Sequence, residues 1–423
     1  MAIARNILRQ VLLDNQRDIE QYDIFRRDYD LSSFPLQVFV GVRRSGKSFL
    51  LFQKIRQMLA EGHGWEDMLY LDFEDQRLEG FTADDFNLIL ECHQEMYGKR
   101  PMLFLDEIQN IDGWQKFARN LADRKYSVFI TGSNASMLSK DIMSALGGRY
   151  IPVEVYPFSF TEYLDFLAIP HDDMALDATE SRARFMKAYN DYLAWGGLPE
   201  SISLPVRRPY LSSVFQKIYL GDIAQRNGVS NPRLLQLLSK KIAESIMQPI
   251  SYNRMAKVLS TIAGKVSVPT VSNYVGYSED AWLLLRVRNI VSAFAEKESV
   301  CKYYYIDNGL LSIQLLDIDT LLLENAVALS LFRRYGHDTD NERVYFYNAN
   351  VEVDFYVPED ELAVQVSYSL ADEKTRKREV EALGKFPKIY PCKHRVIVTY
   401  DEEGTITDKY GVIEIVPCWR WMV

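Results

Sequence analysis

The sequence has few cysteines and no long apolar run. Only four cysteines occur among its 423 residues, and no two of them form a C-x-x-C pair. That scarcity disfavours a disulfide-rich fold and a thiolate zinc site, so we expect reduced, structural thiols. No apolar stretch is long enough to cross a bilayer, and Arg5, Arg9 and Asp14 interrupt the N-terminal apolar residues, which does not resemble a secretion signal. These absences predict a cytoplasmic protein with no membrane partner.

Basic residues are also in the minority. The 49 lysines and arginines stand against 58 aspartates and glutamates, a formal net charge of −9. This acidic balance argues against a protein coated in nucleic acid, although a local basic patch can still bind it. The hydrophobic fraction of 48% and the charged fraction of 25% are ordinary for a globular protein, and the length predicts two or three domains.

A glycine loop between a strand and a helix is the strongest functional pattern. Residues Gly41 to Ser48 read GVRRSGKS, after the apolar run Leu36 to Val40 and before the helical run Phe49 to Leu59. Such a loop wraps phosphates with its backbone N–H groups, and the helix N-terminus adds a positive dipole. We predict that Lys47 reaches the β- and γ-phosphates and that Ser48 binds Mg²⁺. The predicted nucleotide-binding residues are Gly41, Val42, Arg43, Arg44, Ser45, Gly46, Lys47, Ser48 and Phe49.

Two acids follow the third apolar run. Such runs alternate with helix-length polar segments, which predicts a parallel α/β sheet with helices on both faces. The further runs are Met68 to Phe73, Met102 to Leu105 and Val128 to Thr131. Asp106 comes at the edge where open α/β sheets bind ligands, so we predict that it holds Mg²⁺ together with Ser48. Glu107 is then the predicted base for the attacking water, as in P-loop ATPases that carry a glutamate beside the metal-binding aspartate.

Small polar and basic residues after the next strands are candidates for sensing the γ-phosphate. We predict that Ser133 touches the γ-phosphate or the water, with Asn134 as its rival and a plain turn as the alternative. Arg149 follows two glycines and could sense the γ-phosphate in its own site or in a neighbour's, or form a surface ion pair. Arg43 and Arg44 are expected to face outwards or to hold neighbouring carboxylates.

Taken in order, these motifs resemble a large prokaryotic family of AAA-type ATPases related to the archaeal ATPases. The segments that carry the resemblance are GVRRSGKSFLL, LYLDFEDQRL, MLFLDEIQNIDGW, ITGSNASML and LGGRYIPVEVYPFSFTEYL, then LAWGGLPES, KYYYIDNGLL, LLENAVALSLFRR, NVEVDFYV and AVQVSYSL. The resemblance covers nearly the whole chain and implies Lys47, Ser48, Asp106 and Glu107 in the roles given above. It also favours ATP with Mg²⁺, and the sequence has no guanine-reading Asn-Lys-x-Asp motif.

The rest of the chain is predicted to form domains attached to the ATPase core. The predicted segments are an N-terminal helical segment (1–30), the AAA-type P-loop ATPase core (31–165), a helical lid or connector (166–230), a winged-helix-like domain (231–300) and a C-terminal α/β domain (301–423). Two helical patterns, 251–263 and 268–285, predict a helix-turn-helix. The second of these patterns contains no lysine or arginine that could bind DNA phosphates. DNA is therefore a possible partner, but a packing role or a protein partner is favoured over it.

The C-terminal segment contains the runs Val351 to Phe355, Ala363 to Tyr368 and Asp372 to Leu383. Together these runs resemble the core of restriction-endonuclease-like folds. The resemblance implies Asp354 and Gln365 as Mg²⁺ ligands, with Glu324 as a further one. Ser367 stands where such nucleases have a lysine, and Lys374 or Arg376 of the following helix could substitute for it. The economical interpretation is a nuclease-like scaffold with little or no cleavage activity.

The sequence thus favours a Mg²⁺-dependent ATPase whose hydrolysis switches the arrangement of its attached domains. Two alternatives stay open: an ATP-gated DNA-binding protein or nuclease, and a nucleotide-binding interaction protein with little turnover. A homo-oligomer is expected if Arg149 acts across a subunit boundary.

Overall fold

The computed structural model describes residues 4–32, 36–133, 146–148, 150–316, 319–336 and 343–423. The chain divides into two compact units, of which unit 1 ends at Val155 and unit 2 begins at Tyr156. Within the described residues, none of the helices combines the length and the apolar character needed to span a membrane.

Unit 1 is built on a five-stranded parallel sheet. Its strands are β1 (Leu36–Val40), β2 (Met68–Asp72), β3 (Met102–Asp106), β4 (Val128–Gly132) and β5 (Ile151–Glu154). They lie in the order β2-β3-β4-β1-β5. Almost every residue of β1 to β4 is buried, because both faces of a parallel sheet are covered. The parallel α/β sheet predicted from the alternating apolar runs is confirmed.

The α-helices in the described part of unit 1 bury one apolar face each. They are α1 (Arg5–Gln21), α2 (Lys47–Ala60), α3 (Phe86–Tyr97) and α4 (Trp114–Asp123). In α1 the buried face includes Leu8, Val11 and Leu12, at the spacing that predicted an amphipathic helix. In the core, the rings of Phe104 and Phe129 stack with their centroids 5.0 Å apart, which joins β3 to β4.

Unit 2 contains a nine-stranded mixed sheet. Its strands are β6 (Ile250–Ser251), β7 (Leu284–Asn289), β8 (Val300–Tyr305), β9 (Tyr345–Asn348), β10 (Glu352–Val357), β11 (Leu362–Val366), β12 (His394–Thr399), β13 (Gly404–Asp408) and β14 (Gly411–Pro417). They lie in the order β13-β14-β12-β11-β10-β9-β7-β8-β6. The domain boundary predicted between residues 300 and 301 falls at the start of β8, so strands from both predicted segments share one sheet.

The described helices of unit 2 are mostly short. They are Phe160–Phe166, Asp173–Asp177, Thr179–Trp195, Pro199–Ile202, Arg207–Lys217, the π-helical Ile218–Gln225, Pro232–Ala243, Tyr252–Ala263, Val268–Asp280, Phe294–Ser299, Asn308–Ser312, Asp319–Tyr335, Glu373–Lys385 and Cys418–Trp421. The pair predicted after residue 250 is present, and Ser251 and Ser267 cap its two helices through their side-chain oxygens.

A buried aspartate joins the Trp-Gly-Gly-Leu-Pro segment to the helix Asn308–Ser312. Asp307 accepts hydrogen bonds from the backbone N–H groups of Gly197 at 2.7 Å and Gly309 at 2.8 Å. Burial raises the pKa of Asp307 to about 6, against the opposing effect of these N–H groups. A Cβ at Gly309 would overlap the carbonyl oxygen of Trp195, so the two segments meet backbone to backbone.

Substitution of Gly309 by alanine is expected to destabilise unit 2, because the nearest atom is a backbone carbonyl oxygen that cannot rotate away. Overpacking of this kind lowers the free energy of unfolding by about 1–3 kcal/mol. Urea denaturation followed by circular dichroism measures the change. Gly276→Ala is the control, since a Cβ there meets nothing within 4 Å and alanine is the better helix former. Equal losses from both substitutions would contradict the prediction.

Candidate nucleotide site

The glycine loop joins β1 to α2 at the carboxyl end of the sheet. Gly46 adopts the left-handed conformation, with φ of 97°, directly before α2 begins at Lys47. A Cβ at Gly41 would overlap the carbonyl oxygen of Val155, so the loop packs closely against the segment that follows β5. The loop therefore has the strand, loop and helix arrangement that the sequence predicted.

Lys47 lies within the loop, close to the acid pair. Its amine donates hydrogen bonds to the carbonyl oxygens of Gly41 and Val42, both at 3.0 Å, and only 4% of the side chain is exposed. Glu107 Oε1 is 4.0 Å from the same amine. A buried ammonium needs such partners, and phosphate oxygens can replace the loop carbonyls in that role.

Asp106 is buried and hydrogen-bonded to three hydroxyl groups. Tyr70 Oη donates to Oδ2 at 2.7 Å, and Thr131 Oγ1 donates to Oδ1. Ser48 also hydrogen-bonds to this carboxyl group. Burial, and then the charge of Glu107, raises the pKa of Asp106, so a cation placed beside it would be favoured. The structure thus brings together Ser48 and Asp106, the two residues predicted to bind Mg²⁺.

Asp72 is a third acid at this edge, and it was not predicted from the sequence. It ends β2 and lies in register with Asp106 on β3. Burial, and then the charge of Asp106, raises the pKa of Asp72 to about 7. The paired strand sequences MLYLD and MLFLD both end in aspartate, and this similarity could have identified Asp72 from the sequence. Tyr70, which donates to Asp106, comes from the same strand and was also missed.

Glu107 has an unusual backbone conformation that its neighbours support. Its φ of 51° and ψ of 40° are in the left-handed region, which a residue with a side chain rarely adopts. Its N–H group donates to Thr131 Oγ1 at 2.9 Å, and its carboxylate accepts a hydrogen bond from Gln109 Nε2. Thr131 therefore positions both members of the acid pair, and Gln109 orients the side chain of the predicted base. Neither residue was identified from the sequence.

Of the residues predicted to sense the γ-phosphate, Ser133 is the one that the structure describes. Ser133 follows β4 and is 1% exposed, and its hydroxyl oxygen has no hydrogen-bond partner among the described residues. A buried hydroxyl without a partner is unfavourable, so a ligand atom at this position would be stabilised. Asn134, its rival, and Arg149 lie outside the described residues.

The other predicted loop contacts involve Arg43, Arg44 and Phe49. Arg43 donates to Glu74 Oε1 at 3.2 Å, so it holds a neighbouring carboxylate as the sequence suggested. Arg44 is exposed. Phe49 is 42% exposed and its ring centroid lies 5.7 Å from that of Tyr22, beside the N-terminus of α2.

The three residues predicted as a second metal site lie in unit 2, where Glu324 and Asp354 share a partner and Gln365 does not. The backbone N–H of Asp354 donates to Gln365 Oε1 at 2.7 Å, and both Asp354 and Glu324 contact the amine of Lys302. Lys302 was not identified from the sequence. A single lysine in the otherwise apolar and aromatic run VCKYYYI is the signal that could have revealed it.

Asp72→Asn is expected to stabilise the nucleotide-free protein, and more so at high pH. The pKa of Asp72 is about 7 in the folded state, and that of an unfolded aspartate is about 3.9. The folded state therefore binds more protons between these values, and ionisation of Asp72 removes stability as the pH rises to 7. At pH 8 the substitution should add about 1–3 kcal/mol to the free energy of unfolding, and at pH 5 less.

Denaturant unfolding at the two pH values measures this difference. Asp75→Asn is the matched control, because the hydrogen bond from Arg77 lowers the pKa of Asp75. Loss of the Asp75 carboxylate should therefore reduce the free energy of unfolding at pH 8. A gain for Asp72→Asn that is no larger at pH 8 than at pH 5 would refute the assignment.

Comparison with known proteins identifies relatives of the whole chain. A family model described as an AAA domain matches residues 33–164, and one described as a domain of unknown function matches residues 186–321. An uncharacterised protein of Methanocaldococcus jannaschii is 32% identical and covers 98% of this chain and 95% of its own length. One of Haemophilus influenzae is 29% identical, over 80% of this chain and 83% of its own.

Among solved structures, the Walker-type ATPase paby2304 of Pyrococcus abyssi is similar with a TM-score of 0.43 and 14% identity, covering 74% of this chain and 95% of that one. This likeness is weak, and the assignment depends on the sequence matches. The AAA match spans β1 to β5, the glycine loop and the acid pair. Because the M. jannaschii relative matches nearly the full length of both chains, this protein belongs to the same family of AAA-type P-loop proteins.

Proposed function

We propose that this protein is a Mg²⁺-dependent ATPase. The observation that carries the proposal is the convergence of Lys47, Ser48, Asp106 and Glu107 at one edge of the sheet. Ser48 and Asp106 supply the oxygen ligands that Mg²⁺ prefers, and hydroxyl groups already orient the carboxylate. Bound there, Mg²⁺ would neutralise charge on the phosphates. The donor set of the site therefore fits the cofactor.

Each residue then has a chemical role. The N–H groups of residues 41–48 and the N-terminus of α2 bind phosphate oxygens. Lys47 exchanges the carbonyl oxygens of Gly41 and Val42 for the β- and γ-phosphates. Glu107 accepts a proton from the attacking water while Gln109 keeps its carboxylate oriented. Ser133 donates to the γ-phosphate or to the water. Arg149, which lies outside the described residues, is proposed to sense the γ-phosphate, in cis or in trans.

Phosphate release by purified protein tests the proposal. Glu107→Gln should bind ATP with unchanged affinity and turn over about 10²–10⁴-fold more slowly, because it keeps the metal site and loses the base. Lys47→Ala should lose ATP affinity. Glu61→Gln, an exposed acid that follows α2, is the control and should match the wild type.

Gln109→Leu should lower kcat by about tenfold with little change in KM, because the base remains but is no longer oriented.

Equal rates in the wild type, Lys47→Ala and Glu107→Gln would refute an ATPase at this site. A tightly bound nucleotide that remains unhydrolysed through purification would instead favour the alternative of a nucleotide-binding interaction protein. A Gln109→Leu variant with wild-type kcat would remove the positioning role of Gln109 and leave the ATPase assignment intact.

We further propose that hydrolysis acts as a conformational switch on unit 2. The short segment from Val155 to Phe158 supports this, because its two ends are hydrogen-bonded in different units. In unit 1 the N–H of Val155 donates to the carbonyl oxygen of Val40, directly before the glycine loop. In unit 2 the N–H of Phe158 donates to the carbonyl oxygen of Gly197. On this proposal residues 166–230 act as a lid or connector, 231–300 as a winged-helix-like domain and 301–423 as a nuclease-like scaffold. Light scattering with and without a non-hydrolysable ATP analogue reports both shape and oligomeric state, and identical profiles would contradict the switch.

A second candidate function is ATP-gated binding of duplex DNA by the helices Tyr252–Ala263 and Val268–Asp280. The observation that favours it is the exposure of Lys257 on the first helix and of Lys265 in the turn, with Asn273 exposed on the second helix. Lysines bind phosphates, and asparagine can read a base edge. Replacing both lysines with glutamate should weaken duplex binding at least about tenfold at low salt, measured by fluorescence anisotropy. Lys388→Glu is the control, and equal binding by all three proteins would exclude this surface.

A further inference from the structure

A lysine is fully buried between two carboxylates in the sheet of unit 2. Lys302 lies on β8 opposite Val287 of β7 and has no exposed surface. Its amine is 2.9 Å from Asp354 Oδ1 and 3.5 Å from Glu324 Oε1. The two acids come from different elements, β10 and the helix Asp319–Tyr335. The amine therefore joins three elements that are far apart in the sequence.

Surrounding groups hold both carboxylates in place. Asp354 Oδ2 accepts a hydrogen bond from the N–H of Val366 at 3.0 Å, which leaves Oδ1 for the amine. Glu324 Oε1 accepts from Tyr304 Oη at 2.7 Å, and Glu324 Oε2 has no partner among the described residues although it is buried. Two fixed carboxylates, one with a free oxygen, are the chemistry of a cation site.

The third predicted ligand does not face this cation position. Gln365 Oε1 accepts the N–H of Asp354, and its amide nitrogen donates to Glu379 and to the carbonyl oxygen of Glu352. Within the described part of the chain, no group of three histidine, cysteine, aspartate or glutamate side chains is placed to hold a metal ion. Among the described residues, the cation in contact with both carboxylates is the Lys302 ammonium.

Burial also separates this centre from any large substrate. Lys302 and Glu324 are both 0% exposed and Asp354 is 9% exposed. A nuclease must bring a phosphodiester group against its metal ligands, which these values do not permit. At 2.9 Å from Asp354 and 3.5 Å from Glu324, the Lys302 amine has the carboxylate partners that a buried ammonium needs.

We propose that the Lys302 ammonium is the permanent cation of this centre and occupies the place between Glu324 and Asp354 that a divalent metal would take. The centre is then structural. It ties β8 to β10 and to the helix Asp319–Tyr335, and unit 2 acts by binding or by movement and does not cut nucleic acid. The proposal is independent of the ATPase assignment, because it concerns a separate set of residues.

Manganese stoichiometry tests it in the full-length, nucleotide-free protein. Equilibrium dialysis of the wild type and of Glu324→Gln should give the same number of bound Mn²⁺ ions per chain, because the acid already has its cation. Glu414→Gln, an exposed acid on β14, is the matched control. A wild type that holds one more Mn²⁺ than Glu324→Gln, while Glu414→Gln matches the wild type, would overturn the proposal.

Removal of the internal cation provides the second arm. Lys302→Ala leaves two buried carboxylates and room between them, so it should gain one Mn²⁺ per chain and unfold at a higher temperature when Mn²⁺ is present. The double variant Lys302→Ala with Glu324→Gln should gain neither. A folded Lys302→Ala protein that gains no Mn²⁺ would overturn the proposal.

Folding and cleavage controls keep the test decisive. If Lys302→Ala folds only with Mn²⁺, the metal has replaced the ammonium and the proposal is supported. If it does not fold in either condition, the comparison of the wild type with Glu324→Gln decides. Plasmid incubated with the wild type, ATP and Mn²⁺ should stay intact, and cutting that Glu324→Gln abolishes would overturn the proposal.

Discussion

The buried charge of Asp106, at the carboxyl end of β3, is the constraint on which the nucleotide site depends. A buried carboxylate is unfavourable unless hydrogen bonds satisfy it. Here the hydroxyl groups come from three elements: Tyr70 on β2, Thr131 on β4 and Ser48 on α2. A one-residue slip of β2 or β4 would turn its side chains to the other face of the sheet. The hydrogen bonds that stabilise the carboxylate therefore require the observed strand register, and they bring the proposed metal ligands and the glycine loop together.

The two units satisfy buried acids in different ways. In unit 1, Asp106, Asp72 and Glu107 lie close together, and burial, with the repulsion of Asp106, raises the pKa of Asp72 to about 7. A cation from solution would reduce that repulsion. In unit 2, Lys302 provides the positive charge from within the chain, and the carboxylates of Glu324 and Asp354 surround it. The first arrangement is suited to exchange of a ligand, and the second to a permanent structure.

Local patterns in the sequence predicted a large part of the fold. The glycine loop, the parallel strands of unit 1 and the capped helix pair after residue 250 follow from contiguous residues, so they could be read directly. The boundary predicted at residue 300 falls where β8 begins, and β8 pairs with β7 in the shared sheet. Strand pairing across a predicted boundary depends on residues that are distant in the sequence, so it cannot be predicted from local composition.

The sequence by itself determined the residues proposed to carry the chemistry of the loop and of the acid pair, because Lys47, Ser48, Asp106 and Glu107 belong to short motifs with characteristic neighbours. Only the tertiary structure decided which residues support them. Tyr70 and Thr131 reach Asp106 across strands, and Lys302 reaches Glu324 and Asp354 over more than 20 and 50 positions of the chain. Such partners are set by strand register and by the need to satisfy buried charge, and neither leaves a local pattern in the sequence.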